Sequence, residues 1–227
     1  MKASLYKTIY KKLAERKKHN VPLVIGINGI DYAGKTTFAC DLRRFLEGQK
    51  YCVELIHVDD FYNGDIDESF FATITDAYLE KVYNFSRIIN EILLPLNLHR
   101  FLEKDLNLWN KSSKKYDLKK RFSVTSNSIV LIEGVFLFQP NIIPYIDYKI
   151  MLIVSKHEAE KRSLTRDYKH LGISDNINLF NNEFLSAQKI FIERMKPLMY
   201  ADLVVDNEDW QNPKVLKNLS KCRDMIY

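Results

Sequence analysis

Glycine and proline are scarce in this 227-residue chain, at 7 and 6 residues. That scarcity argues against long linkers or disordered tracts. Cysteine is scarcer still: Cys40, Cys52 and Cys222 stand far apart, with no CxxC and no Cys/His ligand spacing. An odd count without a framework reads as free thiols in a reducing compartment. No internal repeat is visible, and no apolar run is long enough to span a bilayer. The start, Met1-Lys2-Ala3-Ser4, leads into a charged amphipathic segment instead of a secretory signal. These absences together predict a cytoplasmic protein with no membrane partner. Charge of one sign is also lacking, since 34 Lys+Arg against 29 Asp+Glu leave only +5. That balance suits an anionic small ligand and is too weak and diffuse for nucleic acid. What remains is ordinary for one globular α/β domain with a full core: 46% hydrophobic and 28% charged residues.

Within that frame one stretch stands out, Gly29-Ile30-Asp31-Tyr32-Ala33-Gly34-Lys35-Thr36, followed by Thr37. Its spacing is that of a phosphate-binding loop, G-x-x-x-x-G-K-[ST]. Glycines let successive N–H groups face the same phosphate oxygens, and the helix beyond adds its positive end. Lys35 supplies a charge for the β/γ-phosphates and Thr36 a hydroxyl for Mg²⁺. The context agrees, with an apolar strand Leu23 to Asn28 before the loop and a helix to about Glu47 after it, stopped at Gly48.

Further strands are expected at Cys52 to Val58, Ser128 to Gly134, Tyr148 to Val154 and Leu203 to Val205. Helices are expected at Ser4 to Lys18, Asn84 to Leu94 before Pro95, Lys156 to Asp167, Asn181 to Met195 and Asn212 to Met225. Asn63 to Asp76 reads as a loop. Leu98 to Phe122, rich in Lys, Asn and Ser, suggests loops with a short hairpin over the site. Alternating strands and helices predict a three-layer α/β/α domain around a doubly wound parallel sheet.

Three constellations add chemistry. Asp59 and Asp60 end the second strand, at the edge where parallel sheets bind ligands, so one of them could orient an attacking hydroxyl. Glu133 ends a buried strand, where an unpaired acid is costly but a Mg²⁺ partner makes it sensible. Arg162 and Arg166 lie four apart on one helix face before a polar stretch, and could clamp phosphates.

In this order of motifs the chain resembles the uridine kinase-like P-loop kinases, which include phosphoribulokinase. The resemblance runs from about Pro22 to Asn207. It is carried by the P-loop, by Val58-Asp59-Asp60-Phe61-Tyr62, Ile132-Glu133-Gly134 and Arg162…Arg166-Asp167, and by Tyr200-Ala201-Asp202 to Asn207. It implies a single P-loop kinase domain with a five-stranded parallel sheet, ATP with Mg²⁺, and phosphoryl transfer to a hydroxyl. Within residues 1–227 it implies an acceptor-binding insertion at about 63–125 and a lid at about 160–180, beside an N-terminal amphipathic helix over 1–20. Asp59 would be the catalytic aspartate, Tyr62 would line the acceptor pocket, and Arg162 and Arg166 would be lid arginines. Asn84 stands where an acceptor-site acid is expected, Lys104-Asp105-Leu106 where a Tyr-Asp-aromatic motif is expected, and Tyr32 where a small loop residue is usual. The expected partner is a small hydroxyl compound, a nucleoside or similar, with a homo-oligomer left open. A monophosphate kinase of thymidylate type and a non-catalytic nucleotide-binding regulator are the alternatives.

Overall fold

A computed structural model describes residues 2–64, 81–110, 112–171 (backbone alone over 166–171) and 185–216. The chain opens with helix α1, Lys2–Arg16, whose Leu5, Tyr6, Ile9 and Leu13 are buried. The spacing of these residues puts them on one face, and each contributes about 1.5–3 kcal/mol by burial. Strand β1, Leu23–Asn28, is buried throughout and feeds the P-loop, after which α2 runs over Lys35–Gly48. The left-handed residue that turns the chain after α2 is Lys50 (φ 65°), two positions past the glycine expected to stop it. Next come β2, Val53–His57, and a 3₁₀ turn, Val58–Phe61.

The expected helix from Asn84 does not end before Pro95. It runs through α3, Phe85–Ile88, a π-turn, Ile89–Leu93, and α4, Leu94–His99. Proline lacks the N–H for a normal helical bond, and a wider turn just before it accommodates its ring. The next segment corrects the expectation of loops and a short hairpin. It is a long antiparallel pair with one bulge, β3, Leu102–Asn110, and β4, Lys115–Val124. Leu102, Leu106, Leu108, Phe122 and Val124 are buried, so the polar residues that suggested a loop are the outward half of a period-two pattern.

Strands β5, Ile129–Gly134, and β6, Tyr148–Ile153, precede α5, Lys156–Leu171, and α6, Leu185–Met195. The chain then forms β7, Leu203–Asp206, and β8, Lys214–Val215. The described part of the expected closing helix is therefore a strand: Pro213 disfavours helix at Asn212, and Leu216 N–H donates to Val204 O (2.9 Å). Residues 65–76 of the expected loop, 172–178 of the polar stretch, 181–184 of the next helix and 217–225 of the last one lie outside the described residues, as does Cys222.

The main sheet has the order β2-β5-β1-β6-β7-β8. The five strands from β2 to β7 pair in parallel, as expected, and β8 adds a two-residue antiparallel edge. Side chains alternate between two cores. Leu23, Ile25, Ile27, Ile129 and Leu131 join the core under α1 and α2, while Val24, Val130 and Ile132 join the core under α3, the hairpin and α6. By the same alternation, His57 and Glu133 share the α2 side of the sheet.

Candidate active site

The P-loop lies at the carboxyl end of β1, where successive strands diverge to opposite sides, the place open α/β sheets offer a ligand. Gly34 (φ 85°) is left-handed, and a Cβ there would fall 2.7 Å from Asn207 Nδ2, so only glycine fits. The helical ladder of α2 starts with Phe38 N–H to Gly34 O (3.0 Å), which leaves the amides of Lys35, Thr36 and Thr37 ahead of it. Buried Lys35 turns its Nζ to Ile30 O (2.8 Å).

Distant residues brace the loop backbone. Asp31 N–H donates to Gln188 Oε1 (2.7 Å), and Gln188 Nε2 donates to Asp31 Oδ2 (3.0 Å). Asn207 Nδ2 donates to Ala33 O (2.7 Å). Arg162 donates to Tyr32 O (3.2 Å), Asn207 O (2.7 Å) and Glu208 O (2.9 Å), and through Nε to Glu158 (2.9 Å). Burial pushes the Glu158 carboxyl up, but hydrogen bonds and charge from Arg162 and Lys161 outweigh it and hold the group below the usual carboxylate range. Arg162 is thus a brace between loop, helix and β7 end. Arg166 lies on α5, its side chain outside the described ones.

Beside the loop, Glu133 is 4% exposed. Its Oε1 accepts from Thr36 Oγ1 (2.9 Å) and lies 2.6 Å from His57 Nδ1. The next residue, Gly134, lets the 3₁₀ turn close on β5: a Cβ there would lie 2.4 Å from Val58 Cβ. That turn presents Asp59 and Asp60, anchored by buried Phe61 against Phe122. The two aspartates differ. Asp60 is held by Lys120 Nζ (3.3 Å), which also donates to Leu55 O (3.2 Å), whereas Asp59 is exposed.

Next to the turn, aromatic rings gather. Tyr62 lies 5.5 Å from Trp109 and 6.4 Å from Tyr83, and Trp109 lies 5.2 Å from Tyr116. A bulge between Leu108 and Asn110 brings Trp109 to this group, since strict alternation would send it outward with Asn107 and Asp105. Asp105 is on that outer face, 76% exposed and 3.9 Å from Arg121. Asn84 caps α3, its Oδ1 accepting from Arg87 N–H (2.9 Å). The structure therefore joins Thr36 of the loop to Glu133, places Asp59 and Tyr62 on and just after the turn that closes on β5, and leaves Asp105 on the outer face of the hairpin.

Sequence reasoning missed His57, Lys120, Trp109, Tyr116 and Gln188. Trp109 and Tyr116 carried a signal as aromatics in a polar stretch, and His57 as the last residue of β2 beside Glu133. Gln188 carried none. Thr36 and Glu133 are hard oxygen donors and fit Mg²⁺, which keeps most of its waters and takes few protein ligands. Among the described residues no group of three or more His, Cys, Asp or Glu could hold a metal.

A P-loop at the end of β1, in a parallel sheet with helices packed on both faces, defines a three-layer α/β/α P-loop fold. In sequence and fold the chain is similar to the uridine kinase-like P-loop kinases, as its motifs imply. It is 22% identical over 212 residues to a uridine kinase of Ligilactobacillus salivarius (strain UCC118), covering 92% of this chain and 96% of that one. A solved structure described as a possible uridine kinase from Bacillus stearothermophilus superposes with TM-score 0.64 at 20% identity, over 90% of this chain and 99% of that one. A D-glycerate 3-kinase from Cryptococcus neoformans does so with TM-score 0.60 at 10% identity, over 94% and 98%. No protein-family model matches the chain. No helix among the described residues is long and apolar enough to cross a membrane.

Proposed function

We propose that this protein is an ATP-dependent kinase that phosphorylates a hydroxyl of a small molecule, a nucleoside or a compound of similar shape. The observation that carries the reading is the exposed Asp59, set on a turn between the P-loop side of the sheet and the Tyr62–Trp109–Tyr116 aromatic group. Such rings offer a planar group a stacking surface, and the neighbouring carboxylate offers its hydroxyl a proton acceptor.

In this reading the P-loop amides and Lys35 hold the β- and γ-phosphates, Lys35 leaving Ile30 O to do so. Mg²⁺, held by Thr36 and by Glu133 directly or through water, would neutralise charge on the phosphate oxygens. Asp59 orients the acceptor hydroxyl and takes its proton as the oxygen–phosphorus bond forms. The bond between the γ-phosphorus and its bridging oxygen breaks, and ADP leaves. Arg162 serves through the loop it braces, and Arg166 neutralises charge on the transferring group.

A panel of nucleosides, sugars and vitamin precursors, assayed for ADP release, tests this. One compound should stimulate turnover, and Asp59→Asn should then lower kcat by about 10²–10⁴-fold with ATP affinity retained. Normal turnover in that variant would remove Asp59 from its role. Nucleotide binding with no acceptor-dependent turnover would favour a regulator.

A further inference from the structure

The structure gives the carboxylate of Glu133 a partner that no motif announces: we propose that His57 is a positioning residue which fixes Glu133 for Mg²⁺·nucleotide. The inference rests on the donor half of the function proposed above. His57 and Glu133 are register partners in the parallel pair β2–β5, so their side chains leave the sheet side by side on the α2 face. His57 Nδ1 lies 2.6 Å from Glu133 Oε1, and Thr36 Oγ1 lies 2.9 Å from the same atom. An ionised carboxylate only accepts, so the imidazole carries its proton on Nδ1. Two donors from two elements thus converge on Oε1, while Oε2 makes no hydrogen bond among the described residues.

This division has a geometric consequence. A buried carboxylate with one free torsion can rotate Oε2 away from an ion. Donors from both β2 and α2 on Oε1 fix the plane of the group and keep Oε2 available. Thr36 alone holds it from one side, through a residue that must itself face the ion. His57 holds it from the sheet, from a strand separate from the P-loop. Partners of this kind, hydrogen-bonded to a ligating side chain, commonly matter to metal affinity as much as the ligands do.

The test is Mn²⁺ binding to the full-length protein with a non-hydrolysable ATP analogue, followed by electron paramagnetic resonance, with no turnover involved. His57→Ala should weaken Mn²⁺ binding by about 10–100-fold, while the analogue's affinity without metal stays unchanged. His57→Asn, whose amide can place an N–H near the Nδ1 position, should recover most of the loss. A purely packing role predicts a lower Tm in both variants with Mn²⁺ affinity intact. Unchanged Mn²⁺ affinity in His57→Ala, with a loss in Glu133→Gln, overturns the role of His57 alone. Unchanged affinity in both overturns the Glu133 assignment beneath it.

Discussion

At the residue scale, the site divides by how far its interactions reach along the chain. Lys35, Thr36, Asp59 and Glu133 were legible in the sequence because each sits at a strand or helix end whose position the hydrophobic pattern fixes. The contacts of Gln188 and Asn207 were not, because they act on Asp31 and Ala33 across 157 and 174 residues, and no local period marks such a partner. Composition and spacing alone do not choose between Asp59 and Asp60; the family resemblance points to Asp59, and the structure adds that Lys120 holds Asp60. A different residue carries a cost with no visible return. Tyr6 is 5% exposed, burial raises the pKa of its hydroxyl, and the oxygen has no hydrogen-bond partner among the described residues. Tyr6→Phe keeps the ring contacts with Phe38 and Phe45 and removes the stranded group. It should raise stability by about 1 kcal/mol in denaturant unfolding, given the usual cost of an unsatisfied buried hydroxyl. Loss of stability instead would mean that the hydroxyl has a partner among the remaining residues.

At the element scale, the five parallel strands of the main sheet were legible almost to the residue, since strands buried on both faces leave unbroken apolar runs, whereas the exposed edge strand β8 was expected as helix. The hairpin was legible only as a short one among loops, not in its full extent. Its β3 and β4 have one wet face, and counting polar residues hid the alternation that a register count reveals. The bulge that re-aims Trp109 has no sequence signature. Equally local in effect is the closure of the Val58–Phe61 turn on β5. Gly134→Ala would place a Cβ 2.4 Å from Val58 Cβ and push that turn outward. Overpacking of this kind costs about 1–3 kcal/mol. Beyond stability, the displaced Asp59 should lower kcat far more than it changes nucleotide affinity. Equal loss in both would mean that the substitution disturbs the P-loop as well.

At the scale of the whole molecule, the fold class followed from the order of elements, but the bracing of the nucleotide site did not. Arg162 joins α5 to the P-loop and to the backbone after β7, with four hydrogen bonds from one guanidinium. Arg162→Ala should cost about 3 kcal/mol in unfolding free energy, as for other partly buried charge-assisted contacts. Nucleotide affinity should fall with it. Arg162→Lys should rescue little, because an ammonium cannot span those acceptors as a planar fork does. Full rescue by lysine would reduce the brace to a matter of charge.

The Asn207 side chain that caps Ala33 O also bears on how the protein is made. The loop belongs to the first fifth of the chain, yet its final shape waits for a residue near the other end. A ribosome-bound chain that has not yet released Asn207 therefore lacks this hydrogen bond on the P-loop backbone. Nucleotide binding of the kind proposed should accordingly tighten once Asn207 has left the ribosome.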